Sequence, residues 1–424
     1  MKDILRKTIF YKLYKKSKAA FANAIYGSPS KNLFVVWVTG TDGKTTTVNL
    51  IHKVFNDNFG KTWLVSTVNI KAWEEELFNK TKMTSLDPLA LQKILFDLKG
   101  KWCKSLILEV SSHGLDQQRF YGINFDMWVL TNITREHLDY HKNFEDYANT
   151  KKQLFKWISM NNKPQKYWVF PKDDAYGRQW LDEFVLDKEM DFGINISSSI
   201  KAENIVERPD GLSFDIKFLG NPYKVNSRLI WRFNVYNILT AISAGVLVGI
   251  PMNKIIKSIE KFEWLSWRME NVFFNWVNYY IDFAHTPNGL ESVLKALNDI
   301  KWKGKITVVF GAPGERDPFK RPVMGEIADH LADTVIVTDD DPAGENRYDI
   351  IKQIVKWVKR QEWDNFFVLP EREFAIRMAV KLSKPWDIVL LAGKWHEKVQ
   401  LTNFGKRPWN DKDVLLSILE DQDF

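Results

Sequence analysis

Residues 33–55 limit the fold more tightly than any other stretch of this chain. Residues 33–38 are a short apolar run, and Gly40-Thr41-Asp42-Gly43-Lys44-Thr45-Thr46 follows almost at once. Apolar residues then recur at 48, 50, 51, 54 and 55, the spacing of one helix face. Strand, glycine-bearing turn and helix, in that order, predict a phosphate-binding loop of the G-x-x-G-K-[ST] kind. Gly40 and Gly43 let the backbone curl so that successive N–H groups face an anion. Lys44 adds a point charge, the Thr45 hydroxyl can ligate Mg²⁺, and the following helix adds its positive end. Residues 40–46 are therefore the expected ATP-binding residues. A turn that merely needed glycine would have no use for Lys-Thr at that offset.

Two further apolar runs, 106–110 and 127–130, each lead into a polar turn, as parallel strands buried on both faces do. Polar residues at the carboxyl ends of such strands are where α/β sheets place their sites. Glu109 closes the first run, with Ser111-Ser112-His113 after it; residues 131–141 follow the second and carry Glu136, His137, Asp139 and His141. Two turns bearing carboxylates and imidazoles at neighbouring strand ends could hold a second Mg²⁺ beside the first. Residues 161–225 are richer in turn formers, 212–218 alternate like a half-exposed strand, and a helix over 237–249 is stopped by Ile250-Pro251. A second alternation begins near 268, with strand candidates at 279–283, 306–310, 334–338, 366–369 and 388–392. The expected architecture is α/β. A central P-loop-type parallel-sheet domain that binds ATP covers 33–266, a Rossmann-like α/β domain covers 267–424, and a basic amphipathic helix occupies 1–32.

Composition narrows the partners. The net charge of +7 over 424 residues is modest and dispersed, so nucleic acid is not an expected partner. Its one concentration is Lys2, Arg6, Lys7, Lys12, Lys15, Lys16 and Lys18, interleaved with Ile4, Leu5, Ile9, Phe10, Leu13 and Tyr14. Such a helix lies on a surface, the protein's own or an anionic membrane's, and the first is favoured. The single Cys103 excludes a disulfide framework and a cysteine zinc site, and is expected to be a buried thiol. No run approaches the roughly 18 apolar residues of a membrane span. The start also lacks the pattern of a signal peptide, so a cytoplasmic monomer is expected.

The chain resembles the Mur ligases, and among them most closely the UDP-N-acetylmuramyl-tripeptide synthetases. The resemblance rests on VTGTDGKTTT, LEVSSHGLDQQRF, TNITREHLDYH, YANTKKQLF, RFNVYN, RMENV, DFAHTPNGLE, FGAPGERDPFKRP, TDDDPAGE and LAGKWHE, in the family's order. It implies that ATP phosphorylates a substrate carboxylate and that an incoming amino group attacks the acyl phosphate, giving an amide, ADP and phosphate. It also implies roles. Lys44 and Thr45 hold phosphates and Mg²⁺; Glu109 and His137 are further ligands of two metal ions. Lys151 matches a lysine that the family carbamylates, although by itself it reads as an exposed helix lysine. Asn234 and Asn237 match an adenine-contacting segment, Arg268 a phosphate contact and Asp282 a ribose contact. Ser111, Gln117 and Arg119 match positions that meet the UDP-sugar peptide. Arg316, Asp340, Asp341, Gly393 and Glu397 match positions around the incoming amino acid, and Thr84 and His285 are further substrate-site positions.

Three departures qualify the resemblance. The family usually carries an N-terminal uridine-binding domain of roughly a hundred residues, whereas this loop begins at residue 40. Relatives that add diaminopimelate typically show Asp-Asn-Pro-Arg, with the arginine gripping the distal carboxylate. Here Asp340-Asp341-Pro342-Ala343 stands instead, and the extra acid should favour an amine, hence lysine or ornithine. Finally, Trp37, Trp63, Trp73, Trp102, Trp231, Trp264, Trp267, Trp386 and Trp395 stand where the family has, or commonly has, glycine. Indoles at nine tight turns would be badly tolerated, so the expectation is that UGA codons meaning glycine have been read as tryptophan. Two other readings stay open: another amide ligase of this fold, such as a folylpolyglutamate- or cyanophycin-synthesising relative, and a non-catalytic nucleotide-binding scaffold.

Overall fold

The computed structural model describes residues 9–67, 69–72, 75–78, 86–100, 102–134, 145, 148–152, 163–181, 183, 187–208, 211–262, 270–301, 303–361, 363–394 and 399–421. Among the expected site residues, Thr84, His137, Arg268 and Glu397 lie outside these, as do Trp73, Trp264, Trp267 and Trp395. The described residues fall into two compact units, 9–134 with 145–262, and 270–421.

The first unit opens with helix α1 (Ile9–Ile25), which buries Ala19 and Ala22. Lys18 reaches Asp87 at 2.6 Å, and the Lys16 ammonium sits 4.7 Å from the centre of the Tyr121 ring. The helix thus packs on its own protein, while Leu13, Tyr14, Phe21 and Ile25 stay exposed. Strand β1 (Phe34–Thr39) and helix α2 (Lys44–Asn58) flank the phosphate loop. There follow β2 (Thr62–Val65), β3 (Asn69–Ala72), β4 (Glu75–Phe78), helix α3 (Pro88–Gly100), β5 (Ser105–Glu109) and β6 (Met127–Leu130). Then come β7 (Tyr167–Pro171), β8 (Lys188–Gly193), β9 (Ile200–Arg208), β10 (Gly211–Phe218), β11 (Asn221–Ser227) and helix α4 (Phe233–Leu247).

All eleven strands form one sheet, in the order β11-β10-β9-β8-β7-β6-β1-β5-β2-β3-β4. The seven strands from β9 to β2 in that order run parallel, and antiparallel strands extend both edges. The parallel centre is expected from strands apolar on both faces: β1, β5 and β6 are buried almost throughout. Trp37 lies in the middle of β1, fully buried against Phe125 at 4.3 Å between ring centres, and Trp63 lies in β2. Neither is at a tight turn, which corrects that part of the reading, although the buried Trp37 Nε1 finds no hydrogen-bond partner among the described residues. Cys103 is buried, and burial pushes its thiol up to about 11.

The second unit contains β12 (Glu270–Phe274), β13 (Val277–Asp282), β14 (Ile306–Phe310), β15 (Thr334–Val337), β16 (Phe366–Val368), helix α5 (Arg372–Leu382), β17 (Ile388–Ala392), β18 (Val399–Thr402), β19 (Gly405–Pro408) and helix α6 (Asp411–Glu420). Its six-stranded sheet runs β12-β13-β17-β14-β15-β16, parallel except for the β12 hairpin, and β18–β19 form a separate hairpin. The Arg372 guanidinium is wholly buried and grips Asp411 through two bonds of 2.8 and 2.6 Å, while also donating to the carbonyls of Asp339 and Ala392. One side chain therefore ties α5 and α6 to the ends of β15 and β17.

Candidate active site

Strand order brings three turns together in the first unit, because β5 and β6 are the two neighbours of β1. The phosphate loop leaves β1 with Gly40 at φ 153°, where a Cβ would lie 1.8 Å from the Thr131 hydroxyl and 3.0 Å from the Asn132 backbone nitrogen. Only glycine allows the two turns to approach this closely. At Gly43, φ is 76° and a Cβ would meet Asn237 Oδ1 at 2.4 Å. The N–H groups of Thr41 and Asp42 turn toward Asn132, so the phosphate-facing N–H groups are narrowed to those from Gly43 to Thr46. Lys44 folds back to donate to the Thr41 carbonyl at 2.5 Å.

Glu109 ends β5 beside this loop and is 3% exposed. The Thr45 hydroxyl donates to its two oxygens at 3.2 and 3.1 Å; the Thr67 N–H and hydroxyl donate at 3.0 and 2.9 Å. Among the described residues it has no cationic partner. A buried carboxylate held only by neutral donors is electrostatically incomplete and suits a bound cation. With Thr45 on the same oxygens, the residues present fit a Mg²⁺ ion. Among the described residues no three His, Cys, Asp or Glu side chains cluster as a metal site. Lys151 lies in the helical stretch 148–152 at 1% exposure, so the exposed-lysine reading does not hold. Thr67 was missed by motif reading; it stands just past the end of β2, a strand next to β5, which was the available signal.

Asn234 and Asn237 on α4 form a chain of amides: Asn237 Nδ2 donates to Asn234 Oδ1 at 2.8 Å, and Asn237 Oδ1 accepts from Thr47 at 3.0 Å. Past β5, Arg119 donates twice to Gln117 Oε1, and Ser111 Oγ accepts from the Gly114 N–H. Ser111 thus precedes, and Gln117 and Arg119 follow, the short helix Ser112–Asp116.

In the second unit, expected site residues gather at the carboxyl ends of β13, β17, β14 and β15. Gly393 donates to the Asp282 carbonyl at 3.1 Å, Gly314 donates to the Asp341 carbonyl at 2.7 Å, and a Cβ on Gly393 would lie 3.0 Å from Asp340 Oδ2. His285 hydrogen-bonds the Phe283 carbonyl, and Arg316 is exposed. Lys394 is completely buried and ion-pairs with Asp341, with Asp340 at 4.0 Å. The charge of Asp341 is therefore already balanced inside the protein, which removes the argument that this extra acid selects an amine. Beside these turns lies a cavity of about 580 Å³ bordered by Asp339, Arg347, Glu371 and Arg407. Arg347 pairs there with Asp339 at 2.5 Å and Glu371 at 2.7 Å.

The family described as the Mur ligase middle domain matches residues 38–245, and the one described as the Mur ligase glutamate ligase domain matches 267–395. A UDP-N-acetylmuramoyl-L-alanyl-D-glutamate–2,6-diaminopimelate ligase of Clostridium tetani is 35% identical over 96% of this chain and 82% of its own length. The chain belongs to the Mur ligase family. As a Mur ligase it is an ATP-dependent enzyme that forms an amide bond. A solved UDP-N-acetylmuramoyl-L-alanyl-D-glutamate–2,6-diaminopimelate ligase is 27% identical, with TM-score 0.64 over 92% of this chain and 79% of its own. The folylpolyglutamate synthase of Mycobacterium tuberculosis shares the fold, with TM-score 0.72 at 14% identity over 89% of this chain and 92% of its own. No helix among the described residues is long and apolar enough to cross a membrane.

Proposed function

We propose that this Mur ligase adds a basic diamino acid, lysine or ornithine, to UDP-MurNAc-L-Ala-D-Glu through an acyl phosphate. The observation that carries the chemistry is the buried Glu109 beside the phosphate loop, which among the described residues is held by neutral donors alone. The activities for which the relatives are named support the acceptor substrate. A carboxylate resists attack until one oxygen becomes a phosphate leaving group, and moving a phosphoryl group between anions needs fixed positive charge. Lys44 holds the terminal phosphates. Thr45, Glu109, His137 and carbamylated Lys151 would hold Mg²⁺, two ions in all, whose contribution when bound is charge neutralisation. The match of Lys151 to a lysine that the family carbamylates supports its modification. Asn234, Asn237, Arg268 and Asp282 hold the rest of ATP, and Thr84, Ser111, Gln117 and Arg119 hold the UDP-sugar peptide. His285, Arg316, Asp340, Asp341, Gly393 and Glu397 surround the amino acid, whose amine attacks the acyl carbon and expels phosphate.

Specificity now rests on Ala343 alone. It supplies no guanidinium fork for a distal carboxylate, and nearby Arg347 is already held by two acids. Phosphate release with UDP-MurNAc-L-Ala-D-Glu should therefore be fast with lysine or ornithine and slow with diaminopimelate. Release with diaminopimelate alone overturns the specificity. Release with none of the three, but with a folate and glutamate, overturns the function.

A further inference from the structure

Asn132 stands just past the end of β6, against the phosphate loop. Its Oδ1 accepts from the N–H of Asp42 at 2.9 Å and of Thr41 at 3.2 Å, and its Nδ2 donates to the Asp42 carbonyl at 3.2 Å. Its own carbonyl accepts from Thr41 at 2.9 Å, and the neighbouring Thr131 hydroxyl donates to the Asp42 carbonyl at 2.7 Å. We infer that Asn132 is a positioning residue that templates the phosphate loop. It satisfies the first two N–H groups and so leaves those of Gly43 to Thr46 aimed at the phosphates. In Asn132→Ala the backbone bond from Thr41 survives, so Tm should shift by no more than a few degrees. KM for ATP should rise about tenfold, the effect of losing one or two hydrogen bonds, while KM for the amino acid stays unchanged. A purely structural residue would lower Tm and leave the ATP KM alone, and that result overturns the inference. Asn132→Asp keeps the accepting oxygen and serves if the alanine variant does not fold. Its added charge should weaken ADP binding, and an unchanged ADP Kd counts equally against the role.

A different observation concerns the tryptophans. Of the eighteen, 73, 157, 264, 267, 302 and 395 lie outside the described residues. Five of the other twelve have left-handed backbone: Trp102 at φ 57°, Trp231 at 78°, Trp276 at 63°, Trp363 at 74° and Trp386 at 78°. For a bulky residue each such φ is an outlier. Three of the turns call for glycine by their geometry. Trp102 follows α3, and Cys103 donates back to the Leu98 carbonyl, the closure of a helix end that glycine normally makes. Asn275-Trp276 joins β12 to β13 with both φ positive, at 46° and 63°, the two-residue hairpin that favours Asn-Gly. Lys384-Pro385-Trp386-Asp387 closes through Asp387 N–H to the Lys384 carbonyl at 3.0 Å, with proline second and a positive φ third, the turn that takes Pro-Gly. Trp102, Trp276, Trp363 and Trp386 are also exposed, at 90%, 59%, 72% and 49%, with the rings of Trp276 and Trp386 against each other, 5.1 Å between ring centres.

The geometry points to glycine at these five positions in the natural protein, encoded by UGA, a codon one base from the tryptophan codon UGG. Trp276 and Trp363 are additions that motif comparison did not reach. Trp409 is the contrast: its Nε1 donates to Asp411 at 2.7 Å and Arg407 covers its ring, so it is a true tryptophan. The gene should carry UGA at 102, 231, 276, 363 and 386 and UGG at 409; UGG at the five overturns the proposal. A chain with glycine at 276, 363 and 386 should melt on the order of 5–10 °C above the chain as written, from relief of left-handed strain. A Tm that is unchanged or lower overturns it as well.

Discussion

Glu109→Gln should cost this enzyme on the order of a hundred- to a thousandfold in kcat, the scale of losing one charge-stabilising group in a transition state. The same change should raise its Tm. The carboxylate is buried among neutral donors, so folding must desolvate a charge that no described side chain offsets. Glutamine keeps an accepting oxygen for the Thr45 hydroxyl and the Thr67 N–H while discarding the charge. A gain of about 1 kcal/mol corresponds to about 2–4 °C for a unit of this size. Activity within tenfold of the parent would remove Glu109 from the chemistry. A falling Tm would show that the charge is balanced after all.

Arg372→Met should produce the largest loss of stability, about 3–5 kcal/mol, because it strands Asp411 as an unpaired buried charge. Thermal denaturation of the second unit should fall by about 6–20 °C. Adding Asp411→Leu to that variant should recover part of the loss, although the Trp409 indole then also loses its acceptor. If the double variant is less stable than the single by the full cost of an independent substitution, the two side chains are not coupled.

Much of this fold was legible in the sequence, for identifiable reasons. Strands β14 and β17 coincide with expected runs 306–310 and 388–392, since parallel strands buried on both faces are continuous apolar segments. The helix after the phosphate loop was found from its periodicity but extends to both sides of the predicted stretch, from Lys44 to Asn58. Strands β3, β4, β8, β9 and β11 and the β18–β19 hairpin were missed, because half-exposed strands leave little apolar signal, whereas the alternation over 212–218 did mark β10. The site divides in the same way. Lys44, Thr45 and Glu109 are visible as motifs at strand ends. The pairing of Lys394 with Asp341, 53 residues earlier, is invisible until the sheet brings β17 and β15 to the same edge, and it reverses a charge argument that looked sound along the chain. Trp276 escaped for a related reason: its demand for glycine comes from a backbone angle, which only the folded hairpin reveals.

Because β1 has β5 and β6 as its neighbours, the phosphate loop finds its braces some seventy and ninety residues downstream, at Glu109 and at Thr131 and Asn132. The order of synthesis therefore matters. While the ribosome has released only the loop and its helix, the chain has a cradle without a lining, and nucleotide can gain no hold. Binding becomes possible only after β6 has emerged and slotted in beside β1. The last of these three strands completes the braces of the loop, and Asn237 of α4, which accepts from Thr47 in the helix behind it, is synthesised later still.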